Sequence, residues 1–268
     1  YKNLVNAGVM IFSPSVFKYL TELRKYNYEK DIIVPLINDG KVVSYKSSEY
    51  AKDMGTPERY RRVQEDYNSG ICDAKNLANK QKAIFLDRDG TINEYVGFLR
   101  KEEDFRLIPG VSEAIKKINN SGYLAIVVTN QPVIARGEVT EEELEEIHKK
   151  METLLGLDGA YIDDIYYCPH HPDKGFEGEI PELKIECDCR KPKTGMLEKA
   201  AREHNIDLSS SIMIGDSTLD IKMAENAGMQ SILLKTGQKG EDGKYDVSPT
   251  LIACLLYTSP SPRDSTSS

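Results

Sequence analysis

The chain has 268 residues, of which 40% are hydrophobic and 29% charged, and a formal charge of −8. That suits a globular chain with a sizeable core in one large or two modest domains. An acidic balance without a basic run excludes an extended nucleic-acid surface or an anionic-membrane surface. No apolar stretch approaches the roughly 18 residues of a membrane span, and the first residues lack a signal-peptide pattern. The expected setting is a reducing cytoplasm and the expected partner a small molecule. The chain opens at Tyr1, which reads as a cut.

Taken from the start, "NAGVMIFSP" reads as a strand ending in a turn, and "SVFKYLTELRKY" places Val16, Leu20 and Leu23 at helical spacing. "KVVSYKSS" reads as a second strand. In "DMGTPERYRRVQEDYNSG", Thr56 is the expected helix N-cap, Pro57 the first helical residue and Gly70 the stop. Residues 1–70 are too short for a complete α/β domain, and the polar stretch 71–81, "ICDAKNLANKQ", reads as a linker.

Residues 82–254 are more regular. "KAIFLD", "YLAIVVT", "DIYYC", "SIMIG" and "QSILL" are apolar runs of strand length separated by helical segments. One predicted helix carries Val111, Ala114, Ile115 and Ile118 on a single face; another carries Leu144, Ile147, Met151, Leu154 and Leu155. This alternation predicts an α/β fold, a Rossmann-like parallel sheet covered on both faces, with functional groups at the carboxyl ends of the strands. Met10, the tyrosines and His148 read as core or solvated face. Past "VSPTLIAC" the Ser- and Pro-rich "LLYTSPSPRDSTSS" is expected not to pack, and residues 255–268 read as an artefactual or disordered tail.

Three strand ends and one loop carry polar groups. Asp87 and Asp89 stand two apart ahead of Gly90, so both can serve one cation; the bland alternative is a surface turn. Thr129 and Asn130 offer donors for an oxyanion, Asp216 and Asp220 close "IMIGDSTLD", and Arg190 and Lys191 precede a helix. The ordered set "DRDGT", "TN", "RKP" and "GDSTLD" resembles the haloacid dehalogenase superfamily of phosphohydrolases. The resemblance, from residue 82 to about 250, implies that Asp87 is the nucleophile, forming an aspartyl-phosphate, and that Asp89 is the general acid and base. It further implies that Thr129 and Lys191 hold the transferring phosphoryl group. Mg²⁺ would sit on Asp87, the Asp89 backbone carbonyl and Asp216, with Asp220 behind them.

"YYCPHHP" and "ECDCRKP" supply Cys168, His170, Cys187 and Cys189, a set of three thiolates and an imidazole that suits closed, structural zinc. His171 is the less favoured imidazole, and redox pairing of Cys187 with Cys189 is the rival reading. Such a zinc loop resembles two groups of the superfamily, the heptose 1,7-bisphosphate 7-phosphatases and the histidinol-phosphate phosphatases. Only about forty residues separate Asp87 from Thr129, which implies a capless pocket built from core loops. By that resemblance Tyr95, Val96, Gly97 and Phe98 enclose substrate, Arg190 reaches the sugar end, and Asn130 and Gln131 line the pocket. Pro132 and Val133 stand where the group more often has Ser-Gly.

"NAGVMIFSP", "EKDIIVPLI" and "YAKDMGTPERY" resemble the last third of a sugar-1-phosphate nucleotidyltransferase, with Asp53 at a metal position and self-association possible through that part. Together these readings imply a Mg²⁺-dependent 7-phosphatase of D-glycero-D-manno-heptose 1,7-bisphosphate in nucleotide-heptose synthesis. The alternatives are a histidinol-phosphate phosphatase and an idle sugar-phosphate-binding scaffold.

Overall fold

Strand β1 (Ala83–Leu86) is buried on both sides: Ile84 and Leu86 enter one apolar cluster and Ala83 and Phe85 another. This division follows from the two-residue period of a strand and requires cover on both faces. The computed structural model, which describes residues 7–45 and 47–258, supplies it. Six parallel strands run in the order β3-β2-β1-β4-β5-β6. The others are β2 (Leu124–Asn130), β3 (Asp164–Cys168), β4 (Ile212–Gly215), β5 (Gln230–Leu234) and β6 (Leu251–Ala253).

The helices, in chain order, are α1 (Val34–Asn38), α2 (Pro57–Asn68), α3 (Ile71–Ala74), α4 (Val111–Asn119), α5 (Pro132–Ala135), α6 (Glu141–Leu157), α7 (Gly195–Glu203) and α8 (Thr218–Ala227). The expected face of α4 and, from α6, Ile147, Met151 and Leu155 are buried on the Ile84 side with Leu154 partly buried against them, while Leu144 packs in a third cluster; Met196, Leu197, Ala200, Met223 and Ala224 of α7 and α8 cover the Phe85 side. Thr56 caps α2 as expected, its Oγ1 accepting from Arg59 N at 3.3 Å, and Gly70 turns the chain at φ +81°.

The chain falls into two compact units, which part at Ser47/Ser48 rather than near residue 70. Within the first unit, the described residues hold only short helical pieces, Pro14–Tyr19, Glu29–Ile33 and α1. The strands expected in "NAGVMIFSP" and "KVVSYKSS" are absent from the described residues there, and the helix expected over 15–26 shrinks to the short 3-10 helix Pro14–Tyr19. A strand needs a partner and a short helix needs a packed face, whereas Val9, Ile11, Leu23 and Val43 are almost wholly exposed. Asp53, in the second unit, is exposed and ion-paired with Arg59.

The stretch 71–81 is not a free tether. It opens with α3; Lys75 Nζ donates to Tyr161 Oη at 2.7 Å and faces Asp163 at 3.4 Å, with both charged side chains almost fully buried. Its end, Gln81, bridges to Ile206. At the other terminus, β6 was not expected, and Leu256, at 5% exposure, packs in the core although residues from 255 were expected not to pack. Ser and Pro dominate that tail's composition and mask its apolar start, Leu255-Leu256-Tyr257. The rest of the expected tail, 259–268, lies outside the described residues.

Lys75→Met should therefore destabilise the second unit by about 3 kcal/mol in urea unfolding, because it strands the buried Asp163 carboxylate. Adding Asp163→Asn should recover part of that loss, while additive losses would show the pair to be uncoupled.

Candidate active site

Asp87 follows β1 and Asp216 follows β4, its neighbour in the sheet, so both carboxylates emerge at the carboxyl edge. The Asp87 amide donates to the Ile214 carbonyl at 3.0 Å, keeping the two strands in register up to the site. Asp220 comes from the first turn of α8, where its Oδ2 accepts from Ser217 N at 3.1 Å and Ser217 Oγ at 2.6 Å, which fixes it as part of a capping box. Oxygens of Asp87, Asp216 and Asp220 all lie within 4.8 Å of one another. Asp220, given only a supporting place by the sequence, is thus a full member of the carboxylate cluster, at 0% exposure.

One ammonium stands among these acids. Lys191 Nζ lies 2.8 Å from Asp87 Oδ1 and 2.6 Å from Asp220 Oδ1, and it donates to the Val128 carbonyl at 3.2 Å. Burial works against its charge, but Asp220 and Asp87 more than offset that and raise its pKa. Burial also acts on the acids: it pushes Asp87 up to about 7, against the pull of Lys191 and with Asp220 adding to the rise. Asp216, buried beside Asp87 and Asp220, rises to about 8. One lysine cannot compensate three carboxylates, so the cluster suits a divalent cation. The walls leave little slack: a Cβ on Gly90, where φ is +84°, would collide with the Asp216 carboxylate, whose Oδ2 also accepts from Gln238 N at 2.6 Å.

The Asp89 carboxylate is not in this cluster. Burial favours its neutral form, but Arg88, Asn93 and Gln131 hold it below the usual carboxylate range. Arg88 Nη2 donates at 3.0 and 2.8 Å and Nε at 3.2 Å, Asn93 Nδ2 at 3.0 Å and Gln131 Nε2 at 2.9 Å. Only the backbone carbonyl of Asp89 is then left for the metal role expected of it. Gln131 Nε2 also donates to Thr129 Oγ1 at 2.9 Å, which joins the expected acid–base residue to the expected phosphoryl-binding hydroxyl.

Asn130 pairs with the Lys191 backbone in both directions, its Oδ1 accepting at 3.0 Å and its Nδ2 donating at 3.3 Å. It therefore mounts the lysine. Tyr95, Val96 and Phe98 form an exposed rim around Gly97, whose φ is +79°. Tyr95 Oη accepts from Gln238 Nε2 at 2.9 Å, and the Arg136 guanidinium stacks 4.2 Å from the Phe98 ring centroid. Pro132 and Val133 are buried, Val133 among Ile134, Val139 and Leu144, so this departure from Ser-Gly is a packing choice.

Cys168, His170, Cys187 and Cys189 converge. Their Sγ and Nδ1 atoms are 3.2 to 3.7 Å apart in the pairs Cys168–His170, Cys168–Cys187, His170–Cys189, Cys168–Cys189 and Cys187–Cys189. A zinc tetrahedron with metal–sulfur bonds of about 2.3 Å has edges of about 3.8 Å, so the donor set fits that ion. Cys168, Cys187 and Cys189 are all free thiols, which removes a Cys187–Cys189 disulfide. His171 Nε2 instead faces Arg136 at 3.5 Å and Asp173 at 3.8 Å. The loop is tied to the site twice: Gln131 N donates to the Cys168 carbonyl at 2.8 Å, and Arg190 Nη1 donates to the His170 carbonyl at 3.0 Å.

Arg88, His148, Arg136 and Gln238 were missed. Arg88 stood in plain view inside "DRDG", but neither spacing nor period marks a buried arginine, and His148 has the helical phase of a core residue.

A family profile described as HAD-hydrolase-like matches residues 188–257. The chain is 44% identical over 160 residues to the D-glycero-β-D-manno-heptose-1,7-bisphosphate 7-phosphatase of Haemophilus ducreyi, covering 59% of this chain and 85% of the relative. The chain is a haloacid dehalogenase-like phosphatase, of the family of the heptose-1,7-bisphosphate 7-phosphatases. As such it is a phosphoric monoester hydrolase. Another family member, from Photorhabdus laumondii and named for the α anomer, is also 44% identical over 160 residues, 59% of this chain and 85% of its own. Among solved structures, the D,D-heptose 1,7-bisphosphate phosphatase of B. bronchiseptica, complexed with magnesium and phosphate, is 32% identical with a TM-score of 0.58 and covers 66% of this chain and 95% of its own. The profile's reach to residue 257 places the Leu256 packing inside the phosphatase fold.

Two measurements test this site. An acid whose folded pKa is raised above its unfolded value of about 4 costs stability as pH rises between the two. Without added Mg²⁺, the thermal midpoint should fall from pH 5 to pH 8, Mg²⁺ should restore most at pH 8, and Asp216→Asn should flatten the profile; a midpoint rising over that range would contradict the clustered acids. Elemental analysis should also find one zinc per chain that survives dialysis and is lost in Cys187→Ser; zinc-free native protein would refute the thiolate site.

Proposed function

We propose that this phosphatase removes the 7-phosphate of D-glycero-D-manno-heptose 1,7-bisphosphate, with Mg²⁺, through an aspartyl-phosphate on Asp87. The observation that carries the chemistry is the meeting of Asp87, Asp216 and Asp220 around the Lys191 ammonium at the carboxyl edge of the sheet. The names of the relatives supply the substrate.

An Asp87 carboxylate oxygen attacks phosphorus, the bond to the C7 oxygen breaks, and that oxygen leaves with a proton from Asp89. Heptose 1-phosphate departs. Asp89 then takes a proton from water as the water oxygen attacks phosphorus, and phosphate and the free Asp87 carboxylate result. Lys191 and Thr129 hold the phosphoryl oxygens while charge spreads over them. Mg²⁺, on Asp87, Asp216 and the Asp89 carbonyl, would supply electrostatic stabilisation of that charge. Zinc on Cys168, His170, Cys187 and Cys189 would fix the loop from which Arg190 and Lys191 emerge.

Arg190 leaves that loop beside Lys191 and, on this reading, grips the phosphate that is not transferred, with Tyr95, Val96, Gly97, Phe98, Asn130 and Gln131 around the sugar. Residues 1–70 remain a proposed remnant of a sugar-1-phosphate nucleotidyltransferase, joined through the anchored stretch 71–81 to the phosphatase from 82 onward, which includes the Leu256 packing. Such a fusion would use the heptose 1-phosphate this site releases to make a nucleotide heptose in the cytoplasm, and the N-terminal part could support self-association. A histidinol-phosphate phosphatase would have no use for a second cation at Arg190, and a binding scaffold no use for the intact Asp87 and Asp89.

Phosphate release tests this. Asp87→Asn should abolish Mg²⁺-dependent turnover and leave the fold intact. Arg190→Ala should lower kcat/KM on the bisphosphate by about ten- to a hundredfold, because a charge-assisted contact is worth about 1.5–3 kcal/mol, while sparing small aryl phosphates. A higher kcat/KM on histidinol phosphate, or release of the 1-phosphate, would overturn the substrate.

A further inference from the structure

Arg88 is 0% exposed, yet it carries a full charge and five N–H donors. One edge of its guanidinium spends three hydrogen bonds on Asp89, from Nε and Nη2. The other edge, Nη1, meets His148 Nε2 at 3.2 Å. His148 lies on α6, 3% exposed, with Tyr167 tilted against it at 5.9 Å between ring centroids. Because Nη1 can only donate, Nε2 of this imidazole must be the acceptor, and the ring proton sits on Nδ1. A helix outside the carboxylate cluster thus reaches the Asp89 carboxylate through one buried arginine.

We propose that His148 is a positioning residue for the acid–base carboxylate: by accepting from Arg88 Nη1 it fixes the guanidinium that sets where the Asp89 oxygens lie. This rests on the role given to Asp89 above, and not on which phosphate ester is the natural substrate. A buried guanidinium that loses an acceptor turns toward another or tilts on its long side chain, and Asp89 moves with it. Asn93 and Gln131 then hold the carboxylate alone, and Gln131 is shared with Thr129. A proton donor must lie within hydrogen-bond reach of the leaving oxygen, so a small displacement of Asp89 harms only esters whose leaving group needs that proton.

The experiment compares His148→Leu and His148→Gln on two esters, a sugar or alkyl phosphate that wild type hydrolyses and p-nitrophenyl phosphate, whose leaving group departs unprotonated. Leucine removes the acceptor; the Gln Oε1 stands near the Nε2 position and can restore it. His148→Leu should lower kcat on the alkyl ester by about ten- to a hundredfold, part of the 10²–10⁴ that general acid catalysis supplies, with less than a threefold change on the aryl ester. His148→Gln should recover most of the loss, and both variants should match wild type in circular dichroism and in KM. An equal fall on both esters, or a glutamine variant no better than leucine with both folded, would show a merely structural histidine and overturn the proposal. If heptose bisphosphate is not hydrolysed but another alkyl ester is, the substrate reading fails while the comparison runs on that ester.

Discussion

Three buried carboxylates around one ammonium are the constraint from which the rest of this site follows. Asp87, Asp216 and Asp220 arrive from β1, the end of β4 and the first turn of α8, and each is held by backbone that cannot give way: the β1–β4 ladder, the Gln238 amide and the α8 cap. Left to themselves they would repel or take up protons. Lys191 relieves part of that repulsion; its backbone is pinned to the end of β2 by Asn130, and its loop is gathered by four converging side chains that could hold a metal ion. What remains uncompensated is negative charge aimed at one point, which suits a divalent cation and, through it, a phosphoryl group.

Asp89, the carboxylate proposed for acid–base work, is segregated from this charge. Asp87 and Asp89 are two residues apart, yet burial among acids raises one while Arg88, Asn93 and Gln131 hold the other low. Separate environments for two carboxylates are how one site runs nucleophilic and proton-transfer steps together. In this chain the separation depends on a single buried arginine between them.

The sheet was legible because a parallel strand buried on both faces is an unbroken apolar run, and the site because its residues close those runs. Asp87, Asp89, Thr129 and Asp216 could be found by asking where strands stop. That Cys168, His170, Cys187 and Cys189 would converge could be found by type and spacing. Arg88 and His148 could not, since partnership across the fold leaves no local trace. The first unit misled for the opposite reason: Val9, Ile11 and Val43 have the strand propensity that suggested β structure, but propensity without a partner or a core builds no strand. Leu256 was hidden by the composition of its neighbours, and Lys75 because a salt bridge to Asp163 has no pattern in one dimension.

The central claim is that Asp87 takes the phosphoryl group covalently. Acid quenching during turnover of ³²P-labelled substrate with Mg²⁺, followed by borohydride reduction and peptide mapping, reads that step directly. The account predicts acid-stable, hydroxylamine-labile label before reduction, and homoserine in place of Asp87 after it. Label on any other side chain, or phosphate released with no covalent label in the quenched protein, would contradict it.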